Sequence, residues 1–222
     1  MAKTDKQIWQ EMIAFAESQG IKTCYKAESF FMRFLGILLF FNPDFMTQYI
    51  TTIHKTVYWP GKSTDEPEYR QWSTLAHECV HAHDSQRLGF LPFAFLYLFP
   101  QSLGVLALLV APAWMTLAIL IDPLFWWLSV MLLAFLPFPA PWRKWAEMRG
   151  YSMTMACYYW EHGKPYDTAF VERQFLTAAY YFMWPHKEQV QQELASWQRK
   201  IESGTYEKEV KIAGAIKDIV NG

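Results

Sequence analysis

Between Leu91 and Pro141 the chain carries a single side chain of the Asp, Glu, Lys, Arg or His kind, Asp122. Ser102 to Ile121 is 20 residues without a charge, and Leu124 to Phe138 is 15 more. Asp122-Pro123 between them is a turn signal. The pattern predicts a hydrophobic helical hairpin that enters a bilayer from one side and returns. Twenty helical residues reach about 30 Å, the thickness of the hydrocarbon layer. The second arm is shorter. Pro92, Pro100 and Pro112 punctuate the first arm and its approach, and Pro137, Pro139 and Pro141 crowd the exit. A spanning hairpin, a shallow re-entrant one and one buried against partner subunits all fit this pattern. Arg87, Arg143, Lys144 and Arg149 lie on the outer flanks and none lies at the tip. The positive-inside rule then puts the flanking domain on the cytoplasmic face, with the tip outside. Trp114, Trp126, Trp127, Trp142 and Trp145 stand where interfacial anchors belong, and ordinary aromatic packing is their other reading.

Just before this stretch runs Thr74-Leu75-Ala76-His77-Glu78-Cys79-Val80-His81. No Gly or Pro interrupts Glu68 to Leu88, and Trp72, Leu75, Ala76, Cys79 and Val80 recur at helical spacing. On a helix, His77 and His81 share one face a turn apart and can grip one ion. Imidazole nitrogen is a good ligand for Zn²⁺. Glu78 sits beside the first ligand, where a carboxylate can take the proton of a metal-bound water. The alternative is two histidines four apart on an ordinary helix, with Glu78 a solvated carboxylate. Cys79, at i+2 from His77, points away from the ligand face and reads as buried filler. His83 falls on the wrong side of the helix for a third ligand. Asp84, at i+3 from His81, is placed to support one.

The octapeptide Thr74–His81 resembles the zinc helix of the H-E-x-x-H metallopeptidases, most closely the gluzincins, whose third ligand is a Glu on a later helix. Trp145-Ala146-Glu147-Met148-Arg149-Gly150-Tyr151 resembles that later helix. The resemblance implies Zn²⁺ held by His77, His81 and Glu147, with Glu78 as general base. It also implies a substrate-binding strand edge, here Thr51 to Trp59. Several gluzincins have an Asp where this chain has Tyr151. Tyr151 then orients a ligand histidine, donates to an oxyanion, or packs in the core. Arg149, two residues off the Glu147 face, reads as a salt-bridge or headgroup contact. The longer metzincin pattern is absent, since Asp84 and Arg87 occupy its Gly and His positions. The resemblance covers under a quarter of the chain.

The rest of the sequence is mostly helical in pattern. Thr4 to Gln19 predicts an amphipathic helix ended by Gly20. Ser29 to Phe41 predicts a greasier helix, either interfacial or core. Met46 to Trp59, rich in Thr, Ile, Val and Tyr, predicts one or two strands closed by Pro60-Gly61, with His54 a surface strand histidine. Trp142 to His162, Asp167 to Met183, Lys187 to Ile201 and Glu207 to Val220 predict the remaining helices. The expected fold is therefore α+β and mainly helical, with a zincin-like core, a small sheet and an inserted hydrophobic hairpin. Residues 1–90 carry the N-terminal helices, sheet and H-E-x-x-H helix. Residues 91–141 form the insertion, and residues 142–222 complete the first domain. Cys24, Cys79 and Cys157 are an odd set without a C-x-x-C pair, which fits a reducing compartment. The polar start, Met1 to Lys6, carries no secretory signal pattern. A net charge of −1 excludes a strongly basic nucleic-acid binder.

These readings point to a membrane-associated zinc metallopeptidase acting on a protein or peptide near membrane lipid. Two others stand beside it. One is a non-catalytic membrane-inserting or assembly protein, such as a phage or toxin-delivery component, with a structural zinc site closed by a fourth ligand such as His54 or His83. The other is a helical anchor with a metal-free motif.

Overall fold

The computed structural model describes residues 3–38, 43–60, 71–136, 138–177 and 183–222. The fold is mostly helical with one three-stranded sheet. Two compact units divide the chain. The first comprises Met1–Phe90, Arg149–Tyr166 and Ser196–Gly222, and the second Leu91–Met148 and Asp167–Ala195.

In the first unit, α1 (Asp5–Ser18) is fixed at its start by a capping box between Thr4 and Gln7. It buries Ile8, Met12 and Ala16 and is left through Gly20 at φ 70°. Then comes β1 (Lys22–Tyr25), which the sequence reading passed over. Helix α2 (Phe30–Leu38) follows, and Phe41 lies outside the described residues. The predicted strand region is a hairpin, β2 (Thr51–Ile53) and β3 (Thr56–Trp59). Of the one or two strands expected over Met46–Trp59 there are two, parted at His54, whose φ of 52° turns the chain, so His54 sits in the turn and not in a strand. The sheet order is β1-β3-β2, with β1 parallel and β2 antiparallel to β3. The central strand buries Val57 and Trp59, and β2 is an edge.

Helix α3 (Trp72–Leu88) is closed by Gly89, at φ 88°. Every residue from Leu75 to Ala82 is buried. A helix covered all round is a core helix, so its histidines and Glu78 occupy positions that apolar side chains usually fill. Helix α7 (Pro141–His162) belongs to both units, the division falling between Met148 and Arg149. Its first-unit part is bound to α3 by an ion pair between the half-buried Arg149 and the buried Asp84. Arg149 donates from Nε to Asp84 Oδ2 at 2.8 Å and from a terminal nitrogen to Asp84 Oδ1 at 3.0 Å. Farther on, α9 (Lys187–Glu202) runs through both units. The single last helix expected over Glu207–Val220 is two, α10 (Tyr206–Glu209) and α11 (Ala213–Asn221).

The second unit holds the apolar stretch. The 20-residue arm expected over Ser102–Ile121 is not one helix. Instead α4 (Phe90–Tyr97) is followed by α5 (Gln101–Leu109) and α6 (Ala111–Leu120). Pro112 sits in the first turn of α6, where its missing N–H costs nothing; inside a continuous helix its ring would clash with the carbonyl of Leu108. The helix pair α4 and α5 bends by 112°. Among the described residues no single helix is long and apolar enough to cross a membrane.

The second arm, Pro123–Phe135, is a 3₁₀-helix. Its rise of about 2.0 Å per residue extends 13 residues to roughly 26 Å, so an arm short in sequence is less short in space. Asp122 caps it, Oδ1 accepting from the Leu124 amide at 2.7 Å. Trp114 is buried and donates to Ala107 O at 3.0 Å, which makes it a packing residue. Trp126, Trp127, Trp142 and Trp145 are exposed. Beyond α7, α8 (Ala169–Leu176) covers part of the helix expected over Asp167–Met183; residues 178–182 lie outside the described set. Ala140 N donates to Met183 O at 2.9 Å, and Lys144 pairs with Glu193.

Candidate metal centre

Two helices supply the site. On α3, His77 and His81 are one turn apart, and their Nε2 atoms lie 3.0 Å from each other. Two nitrogens bound to one tetrahedral zinc at about 2.0–2.1 Å would stand roughly 3.3 Å apart. On α7, Glu147, Gly150, Tyr151 and Thr154 fall at i, i+3, i+4 and i+7, a single helical face. His77, His81 and Glu147 are all buried, and one ligand atom from each lies within 4.8 Å of the others. Two imidazoles and a carboxylate form a donor set that can hold a metal ion.

His77 is seated by α7. Its Nδ1 lies 3.4 Å from Thr154 Oγ1, so with the proton on Nδ1 the ring donates to the hydroxyl and keeps Nε2 for a metal. Tyr151 meets the same ring edge-on, with centroids 4.9 Å apart. Gly150 makes room for it. A Cβ at that position would fall 2.4 Å from His77 Nε2 and 2.6 Å from Cε1. In the part of α7 that belongs to the second unit, Glu147 Oε1 accepts from Tyr97 Oη at 2.5 Å.

Glu78 is not one of the three clustered residues. Its carboxylate turns toward the sheet, where Oε2 accepts from Thr52 Oγ1 on β2 at 2.6 Å. Nearby, Lys26 is fully buried, with Nζ donating to Phe45 O at 2.5 Å and standing 4.0 Å over the Phe45 ring. Burial pushes its ammonium down to about 8, and the Glu78 charge pulls it partly back.

The other sequence candidates take structural places. His54 lies in the hairpin turn with Nδ1 3.3 Å from Ser85 Oγ and its ring 5.7 Å from that of Phe90. His83 is half-buried beside Asp84 at 3.9 Å, and burial pushes its imidazole down while the Asp84 charge opposes. Asp84 is engaged with Arg149. Cys79 is buried, which pushes its thiol up to about 12. Sequence reasoning missed four contributors: Thr52, Tyr97, Gly150 and Thr154. Only Gly150 had a signal, a lone glycine inside an otherwise good helix, which usually has a packing reason.

Comparison with protein-family models, with curated proteins and with solved structures gave no match.

Proposed function

We propose that this chain is a zinc-dependent metallopeptidase that works against a membrane. The observation carrying the reading is the convergence of His77, His81 and Glu147 on one point, with the carboxylate of Glu78 on the same helix but outside the cluster. A structural zinc site is closed by four protein ligands, whereas a catalytic one keeps three and an open position. Among the described residues the cluster has three members, and His54 and His83 are occupied elsewhere. That favours an open site over the assembly-protein reading. Bound zinc supplies acidification of water and polarisation of a carbonyl. Glu78 accepts the proton of the attacking water and delivers it to the leaving amine. Thr52 holds one oxygen of Glu78 and leaves the other for that transfer. β2, the outer strand of the sheet among the described residues and next to Glu78, suits an extended peptide substrate added as a further strand.

The apolar stretch supports lipid contact. Leu91, Leu109, Ile119, Leu120, Ile121, Leu124 and Trp127 are each at least 66% exposed. Patches of this kind are rare on monomeric soluble proteins. The broken first arm favours a shallow hairpin over a simple two-helix span, with the metal centre on the cytoplasmic side. Metal analysis and peptide hydrolysis test the chemistry together. The wild type should carry about one zinc per chain, His77→Ala none, and Glu78→Gln should keep zinc but lose hydrolysis. Full zinc occupancy in His77→Ala would refute the site. Flotation with liposomes tests the membrane reading, and full-length protein that stays monomeric in buffer without detergent would end it.

A further inference from the structure

Tyr97 is the last residue of α4, at the end of the run Phe90–Tyr97, in which every other residue is apolar. Its hydroxyl reaches Glu147 Oε1 at 2.5 Å. The same residue is held by its backbone. Arg143 Nε donates to Tyr97 O at 3.2 Å, and a terminal nitrogen of Arg143 donates to Gln101 Oε1 at 3.1 Å. The guanidinium also lies 5.4 Å from the Tyr97 ring centroid. Arg143 and Glu147 are four apart on α7. One face of that helix therefore carries both the cation that fixes Tyr97 and the carboxylate that Tyr97 fixes.

A carboxylate has two oxygens and rotates freely about its last bond unless one oxygen is held. A hydroxyl donating to an ionised oxygen makes a strong, short hydrogen bond. We propose that Tyr97 is the positioning residue for the carboxylate ligand, holding Glu147 Oε1 so that Oε2 is presented to the metal bound by His77 and His81. This inference rests on reading those three residues as metal ligands. Tyr97 itself does not touch the metal. Because it ends α4 at the 112° corner with α5, the orientation of the third ligand depends on how the apolar stretch begins.

The test uses the full chain in detergent. Zinc affinity is read by competition with a chromogenic chelator, and ligand geometry by the visible spectrum of the cobalt-substituted protein. Tyr97→Phe keeps the ring and removes one hydroxyl. It should weaken zinc binding about 10- to 100-fold, the usual effect of removing a group that orients a ligand. It should also alter the cobalt spectrum while the metal-free protein keeps its circular dichroism. Arg143→Gln should weaken zinc binding in the same direction. The double variant should be no weaker than Tyr97→Phe alone, because Arg143 acts through Tyr97. Zinc affinity and cobalt spectrum unchanged in Tyr97→Phe, with binding lost in Glu147→Ala, overturn the proposal and leave the ligand assignment standing. If Tyr97→Phe does not fold, unchanged zinc affinity in Arg143→Gln overturns it instead. Wild-type binding retained in Glu147→Ala overturns the ligand assignment and the proposal with it.

Discussion

Replacing Gly150 by alanine sets two effects of one methyl group against each other. Inside a helix, Gly→Ala is worth about 0.5–1 kcal/mol of stability. Here the added Cβ would lie 2.4 Å from His77 Nε2, 2.6 Å from Cε1 and 2.7 Å from Cδ2. Ordinary contact needs roughly 3.4 Å or more, so the ring must retreat by about 1 Å. It has little room, with His81 Nε2 at 3.0 Å and the Tyr151 ring edge-on at 4.9 Å. Overpacking of this kind costs about 1–3 kcal/mol, so net folding stability should fall by at most about 2.5 kcal/mol. Metal binding is less forgiving, because ligand distances hold to about ±0.2 Å. Gly150→Ala should therefore lose zinc affinity by about 100-fold or more, beyond the 10- to 100-fold range for orienting groups, while remaining folded. Titration with a chelator competitor and thermal melting of the metal-free protein read the two effects separately. Gly214→Ala, in α11, is the control, because a Cβ there meets nothing within 4 Å. It should stabilise by up to about 1 kcal/mol and leave zinc binding alone. Unchanged zinc affinity in Gly150→Ala would show that His77 is not confined as described.

Asp84→Ala should destabilise the protein by about 1.5–3 kcal/mol in chemical denaturation, because it removes the buried carboxylate that accepts two hydrogen bonds from the half-buried Arg149 guanidinium; a loss under 1 kcal/mol would mark the pair as solvent-screened. Lys26 predicts a pH dependence. Its folded value of about 8 lies below the ordinary lysine value, so between about pH 8 and 10.5 the unfolded chain holds a proton that the folded chain has released. The contribution of Lys26 to stability should therefore rise with pH across that window, against the loss from the buried thiols, so the wild type should gain on Lys26→Met as the pH rises. Urea melts of both proteins at pH 7.5 and 10.5 check it, and parallel curves would refute the burial argument.

The long helices were legible in the sequence because their signals are local. Thr4 and Gln7 cap α1, an unbroken periodic run makes α3, and Gly89 ends it. The pairing of His77 with His81 follows from helical spacing alone. β1 was not legible: Lys22–Tyr25 is a four-residue strand whose partner, β3, lies more than 30 residues away and pairs with it in parallel. No local pattern announces such a contact. In the apolar stretch, hydropathy hid the break at Val110, although Pro112 was in plain view. Composition also hid Tyr97, which reads as one more aromatic in a greasy run and yet donates to Glu147. Thr52 and Thr154 are common residues whose roles exist only once α3 has met β2 and α7.

The order of His77, His81 and Glu147 along the chain has a consequence for biogenesis. His77 and His81 leave the ribosome together, but Glu147 follows 66 residues after His81, behind the whole apolar stretch. At about 5–20 residues per second that delay is roughly 3–13 s. During it the nascent chain presents an incomplete pair of imidazoles, while the greasiest part of the protein seeks cover. The third donor arrives only when that segment has been synthesised. The three-residue cluster can therefore be completed only after the apolar stretch has been synthesised, and a chain stalled within that stretch lacks the third donor.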